Sequence, residues 1–198
     1  MENYNVSFGA RRIGTANIRA KINNKWKDIP VSFVRLHPKT NKGDKAALES
    51  VTNLWQGKNL SGSIQEQSEI CNDPVFALTT QNENFKNINP KKILGMLTTN
   101  DFKSNAEDTA EIFRLGVNPE YAYTQNKNKR DLKHIGAALI KKFVDLVDKR
   151  TNVQRVVATA EEPSEVKFLK KMNMKEKNSN FKYTNFEINK ENFDEFVK

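Results

Sequence analysis

Short runs of alternating apolar and polar residues predict strands along most of the chain, and apolar residues at three-four spacing predict helices between them. The predicted strands are 29–36, 75–80, 93–98, 110–117, 153–160 and 181–188. The predicted helices are 45–55, 63–71, a long one from Ile135 that is closed by 149–152, and 163–172. Strands outnumber helices, and helices alternate with strands in the second half. This order predicts an α/β domain with a mixed sheet.

Three parts of the chain differ in composition. Residues 1–28 are polar and basic, and the pair Asn23–Asn24 indicates an irregular hairpin within an N-terminal extension. Residues 29–188 carry the main alternation and form the predicted domain. The tail 189–198 is charged, and its apolar residues Phe193, Phe196 and Val197 suit a short docked helix.

Composition limits the possible classes of protein. Of the 198 residues, 37% are hydrophobic and 29% are charged, and no apolar run approaches the roughly 20 residues that span a bilayer. We expect neither a membrane partner nor a secretory signal. With Cys71 as the only cysteine and His37 and His134 as the only histidines, an intrachain disulfide is excluded. A metal site or Ser-His-Asp triad is disfavoured, and a reducing, cytoplasmic setting is expected.

The chain is strongly basic, with a formal charge of +9 and a pI of about 9.5. Such a charge is compatible with nucleic acid, with a polyanionic cofactor, or with no specific partner. The lysines are spread along the chain, which favours the last interpretation.

One stretch carries the clearest chemistry. The strand E-I-F-R-L-G-V is followed by N-P-E-Y, a polar connection, and K-H-I-G-A-A at the start of the long amphipathic helix. The first N–H groups of a helix lack partners, and the helix dipole favours a negative group there. The pattern therefore predicts a phosphate site at residues 133–138, after a strand.

This stretch resembles the GNAT family, the general-control-related N-acetyltransferases, over roughly residues 29–188. Members often carry a similar Leu-x-Val-x-Pro-Glu-Tyr, a similar pyrophosphate loop, and a later segment like the F-L-K-K-M-N-M-K-E that starts at Phe168. The resemblance implies a mixed, mostly antiparallel twisted sheet, flanked by helices and splayed between central strands. It also implies acetyl-CoA as cosubstrate.

The resemblance assigns donor-site residues. Lys133, His134, Ile135, Gly136, Ala137 and Ala138 would hold the pyrophosphate, and Leu115, Gly116 and Val117 would bond the pantetheine arm. The amide of Val117 would stabilise the oxyanion of the thioester. Without the resemblance, the small residues of 136–138 would only indicate tight packing of a helix on a sheet.

Glu111 stands where the histone-acetylating branch has its catalytic base, although a structural Glu paired with a cation is the alternative. The sequence departs from the family pattern in three places, and the first concerns the general acid. Leu169 stands where many members have a Tyr, which leaves Tyr121, Tyr123 and Tyr183 as open substitutes. The connection 122–132 is longer than in a typical member. Asn173 replaces a turn glycine, a tolerable change because Asn accepts left-handed geometry.

These features predict an acetyl-CoA-dependent N-acetyltransferase in which an acceptor amine attacks the thioester directly. Two alternatives stay open: a GNAT-like domain that binds CoA without turnover, and a basic nucleic-acid-binding module. The acceptor class and the oligomeric state do not follow from the sequence, because acceptor sites vary freely on one fold.

Overall fold

A mixed, mostly antiparallel sheet dominates the computed structural model, which confirms the predicted fold class. The structure describes residues 9–55, 64–66, 68, 74–100, 108–122, 130–150, 152–180 and 182–198. Within them, the strands are β1 (Arg11–Ile22), β2 (Lys25–Leu36), β3 (Val75–Thr79), β4 (Ile93–Thr99), β5 (Thr109–Val117), β6 (Leu132–Lys133), β7 (Arg155–Ala160), β8 (Lys175–Ser179) and β9 (Thr184–Asn189). The helices are α1 (Lys42–Leu54), α2 (Ile135–Arg150), α3 (Pro163–Lys171) and α4 (Phe193–Val197).

The described strands follow the order β6-β1-β2-β3-β4-β5-β7-β9-β8. By its contacts the chain divides into two units, Met1–Thr98 with Leu115–Leu139, and Thr99–Arg114 with Ile140–Lys198. In the first unit, every strand pair from β6 to β4 is antiparallel. In the second, β5 pairs with β7 in parallel, and β9 lies antiparallel to both β7 and β8.

The N-terminal hairpin is longer and more regular than the sequence indicated. Asn23 and Asn24 have φ of 50° and 61°, the positive values that a two-residue hairpin turn requires. β2 begins at Lys25, so the boundary predicted between residues 28 and 29 falls inside a strand. The distal part of the hairpin is largely exposed, which explains why apolar alternation did not reveal its full length.

Both faces of the first unit's sheet are covered. On one face, α1 contributes to a cluster of buried residues with β2, β3 and β4: Val34, Leu36, Ala47, Leu48, Val51, Trp55, Ile64, Val75, Ala77 and Met96. On the other face, the ring of Phe33 stacks on Phe76 at 5.6 Å between centroids. Because strand residues alternate between faces, β3 and β4 are buried at every position.

The other predicted elements match closely, with one correction. The strands from 75 to 160 and the helices α1, α2 and α3 are confirmed within a few residues, and Asn173 has the anticipated positive φ of 60°. The predicted strand 181–188 corresponds to β9, which pairs with an additional strand, β8, that alternation did not reveal. β8 is exposed at all five positions, so it carries no alternation to detect. Of the predicted helix 63–71, only 64–66 and 68 are described, and they are helical; residues 1–8 and Phe181 lie outside the described set.

The tail beyond β9 packs as predicted. Phe193 and Phe196 of α4 are both buried, so the charged residues between them stay on the exposed side. In the part of the chain that the structure describes, no helix is both long and apolar enough to span a membrane.

The fully buried Asp44 ties the first unit together. Its carboxylate accepts the N–H of Ala10, just before β1, at 3.0 Å and that of His37, just after β2, at 2.8 Å. Burial raises the pKa of Asp44, while these two hydrogen bonds oppose the rise. One side chain of α1 thus holds both ends of the hairpin base.

We expect Asp44→Ala to lower the free energy of unfolding by about 2–4 kcal/mol, because two backbone N–H groups lose their acceptor. Denaturant titration of the variant measures the loss. Glu49→Ala is the matched control, since Glu49 is exposed on the same helix and its removal should change stability little. Equal effects of both substitutions would contradict this role of Asp44.

Candidate functional site

An extra residue in β5 turns one backbone amide away from the neighbouring strand. The N–H of Asn100 donates to the carbonyl of Glu111 at 3.1 Å, and that of Asn118 donates to the carbonyl of Leu94 at 2.9 Å. Between these two bonds, the β5 segment contains one more residue than the segment opposite, which defines a bulge. A regular ladder would place Val117, not Asn118, opposite Leu94.

The bulge decides where the Val117 amide points. Successive strand residues direct their backbone polar groups to opposite edges. Since Asn118 bonds to β4, this alternation predicts that the N–H of Val117 faces the other edge of β5. The role of this N–H as the oxyanion donor stays a prediction.

The start of α2 presents the predicted phosphate site. As the first three helical residues, Ile135, Gly136 and Ala137 have N–H groups without acceptors inside the helix. The Ala138 amide, which is also predicted for this site, donates to the His134 carbonyl at 2.9 Å. The amides left for the predicted anion site are therefore those of the first three helical residues.

His134 forms the turn into this helix. Its φ of 67° is left-handed, which costs a non-glycine residue about 1–2 kcal/mol. Its side chain is exposed, and its carbonyl begins the helical hydrogen bonding. The role of His134 is thus to set the direction of the chain between β6 and α2.

Gly95 of β4 brings the two parts of the site together. A Cβ at this position would lie 2.9 Å from side-chain atoms of Ile135 and Leu139 and 3.0 Å from the carbonyl oxygen of Gly116. Only a residue without a side chain allows the first turn of α2 this close to β4 and β5. Sequence reasoning missed Gly95, since a lone glycine in a strand has many explanations.

Lys133 is more constrained than predicted. Its ammonium lies 3.6 Å from the centroid of the Trp26 ring, within cation–π range. Partial desolvation lowers the pKa of Lys133, and the charges of Arg130, Arg19 and Lys21 lower it further. The cation next to α2 is thus held on an aromatic surface.

Glu111 lies where β5 pairs with β7, opposite Val157. Its side chain is half-buried, and its N–H donates to the side-chain Oδ1 of Asn100 at 2.8 Å. Its carbonyl accepts the N–H of the same asparagine. Asn100 therefore fixes the backbone that carries the predicted base.

The candidates for a general acid separate by environment. Leu169 is buried hydrocarbon, and Tyr183 is exposed. Tyr121 is half-buried in the turn after β5, where its N–H donates to the Asn118 carbonyl at 2.8 Å. Burial, followed by the charge of Glu120, raises the pKa of Tyr121, so its phenol keeps its proton. Tyr123 lies outside the described residues.

No protein-family model and no curated protein sequence matches the chain. Solved structures do match. Mutant forms of the spermidine/spermine N-acetyltransferase SpeG from Vibrio cholerae give a TM-score of 0.52 at 13% identity, over 85% of this chain and 99% of theirs. The Campylobacter jejuni N-acetyltransferase PseH gives 0.50 at 10% identity, over 80% and 97%.

The fold is that of the GNAT acetyltransferases. In the GNAT fold the central strands separate, and the pairing here agrees. β5 pairs with β7 only from Thr109 to Ile112, although β5 continues to Val117. Within the described residues, no group of three or more His, Cys, Asp or Glu side chains could hold a metal ion.

We expect Gly95→Ala to destabilise the protein by about 1–3 kcal/mol, because the added methyl group must displace the first turn of α2 or the backbone at Gly116. Thermal or denaturant unfolding measures this cost. Gly14→Ala is the control, since a Cβ there meets nothing within 4 Å. A tolerated alanine at 95 would show that the close approach is not required.

Proposed function

We propose that the protein is an acetyl-CoA-dependent N-acetyltransferase. The observation that carries the proposal is the close approach at Gly95 between the end of β5, at Gly116, and the first turn of α2, whose first amides lack acceptors within the helix. The Val117 amide suits a developing oxyanion, and the first amides of α2 suit a pyrophosphate. The structural neighbours, which are N-acetyltransferases, support this assignment through their fold.

Backbone groups would hold the donor. The amides of Ile135, Gly136 and Ala137 and the positive end of the α2 dipole would bind its pyrophosphate. The backbone of β5 at Leu115–Val117 would form hydrogen bonds with the amide-bearing pantetheine arm, as it would with a neighbouring strand. Lys133 would add positive charge beside the phosphates. The residues present therefore fit the cosubstrate.

The proposed reaction is a direct transfer. The acceptor nitrogen attacks the thioester carbonyl carbon, and the Val117 N–H stabilises the negative charge that develops on the carbonyl oxygen. Collapse of the tetrahedral species forms the amide C–N bond and breaks the C–S bond, which releases CoA. Glu111, directly or through water, takes the proton that the nitrogen loses.

The leaving thiolate needs a proton only late in this sequence. Leu169 cannot supply one, but a thiol pKa near 8.5 makes thiolate a tolerable leaving group. Tyr121, protonated and placed just beyond β5, is the phenol we propose as donor. The alternative function, CoA binding without turnover, draws its support from the buried Leu169.

The first test is acetyl-CoA binding by calorimetry, followed by free-thiol release with a panel of amines. We expect binding by the wild type and turnover with at least one amine. Val117→Pro should lower kcat by about 100-fold or more, since it removes the proposed oxyanion donor. Val117→Ala, which keeps the amide, is the control. Absence of acetyl-CoA binding in folded wild-type protein would refute the proposal.

Glu111→Gln separates catalysis from binding alone. We expect the affinity for acetyl-CoA to stay unchanged and kcat to fall by about 100-fold or more, with partial recovery at high pH, where more acceptor amine is neutral. Glu176→Gln, in the exposed strand β8, is the control. Unchanged kcat in the Glu111 variant would assign proton removal to another group.

A further inference from the structure

The positive charge of the chain is concentrated in the β1–β2 hairpin. Seven basic residues and one acidic residue lie between positions 11 and 36, so this segment carries six of the nine net charges. The basic residues are Arg11, Arg12, Arg19, Lys21, Lys25, Lys27 and Arg35. The expectation of evenly spread charge came from the lysines alone, whereas three of the seven basic residues here are arginines at positions 11, 12 and 19 and a fourth is Arg35.

Pairing places a group of these cations on one face. Arg19 lies opposite Asp28, and Lys21 lies opposite Trp26, while Lys133 of β6 lies opposite Arg19 from the other side. Directly opposed residues of antiparallel strands share a face, as do residues two apart on one strand. We call Arg19, Lys21, Trp26 and Lys133 the basic face.

The cations of the basic face act on one another. The pKa of Lys133 is lowered by partial desolvation and then by the charges of Arg130, Arg19 and Lys21, which shows that these groups converge. Asp131 lies nearby, since its carbonyl accepts the N–H of Lys21 at 2.8 Å. Asp28 approaches Arg19 only to 3.7 Å, and its side chain is 73% exposed. Such a pair is weak in water, so it leaves the local potential positive.

Two features prepare this face for a ligand. The contact with the Trp26 ring holds the Lys133 ammonium in place, which reduces the entropy lost on binding. Arg19 and Lys21 are exposed along the strand, and Arg11 and Arg12 continue the charge toward its other end. A series of cations along a strand matches a polymer of phosphates better than a single phosphate group.

We propose that the basic face of the β1–β2 hairpin binds the phosphodiester backbone of a nucleic-acid strand. The contacts are to phosphates, so binding depends on charge and salt and little on base sequence. The inference does not require acetyl transfer, although the basic face shares Lys133 with the proposed donor site. The test variants change Arg19 and Lys21 only, because Lys133 is also assigned to the donor site.

The test is fluorescence anisotropy with labelled single strands of RNA and of DNA, about 20 nucleotides long, between about 50 and 200 mM salt. We expect wild-type affinity to fall steeply with salt. Arg19→Gln with Lys21→Gln should weaken binding about 10-fold at low salt and reduce the log–log salt slope by about 1.4. The RNA and DNA arms show which strand is preferred.

The control is Lys167→Gln with Lys171→Gln, which removes the same charge from exposed positions on α3. We expect its binding to match the wild type within about 2-fold. An equal loss in both double variants would overturn the proposal, because net charge alone would then explain it. Tight binding to anionic lipid vesicles without binding to the RNA or the DNA strand would also overturn the proposal.

Two further readouts locate the contact. In a Trp55→Phe background, Trp26 is the only tryptophan, and its emission should change when a strand binds; unchanged emission would overturn the proposal. Acetyl-CoA binding by the Arg19/Lys21 variant should equal that of the wild type. A loss of acetyl-CoA affinity as large as the loss of nucleic-acid affinity would also overturn the proposal, because it would assign Arg19 and Lys21 to the acetyl-CoA site.

Discussion

The extra residue in β5 is the constraint on which the rest of the site depends. A backbone amide inside a regular ladder is committed to its neighbour strand and has nothing left for a ligand. Because of the bulge, Asn118 rather than Val117 donates to the Leu94 carbonyl, and we expect the amide of Val117 to be left for a ligand. The cost is one irregularity at the end of a strand that is otherwise paired.

The second requirement is that a helix start must lie against this strand end. Gly95 makes this close approach possible. The space that a side chain at position 95 would fill is occupied by Ile135, Leu139 and the Gly116 carbonyl. Hydrogen bonding and van der Waals packing thus act on one small region. The bulge in β5 would not suffice without the close approach of α2, because the amide of Val117 would then have no anion site beside it.

The elements were largely predictable from sequence, because alternation and three-four spacing report directly on burial. The hairpin turn at Asn23–Asn24 and the left-handed Asn173 followed from residue chemistry. β8 was missed because it buries nothing, and the start of β2 because its first residues are polar. The predicted base, Glu111, stays a prediction, since its placement fits the role without proving it.

Features that depend on pairing could not be predicted from the sequence. The bulge in β5 exists only relative to the strand opposite, and the contact of Lys133 with Trp26 joins residues far apart in the chain. The hydrogen bond from the Ala138 amide to the His134 carbonyl depends on where the helix begins, which sequence patterns locate only within a few residues.

The outward amide of Val117 also bears on how such a site changes over time. A main-chain N–H is present in every residue but proline, so the proposed donor groups place almost no demand on side-chain identity. Only spacing and small residues such as Gly95 need to persist. Sequences can then differ widely while such a geometry is retained.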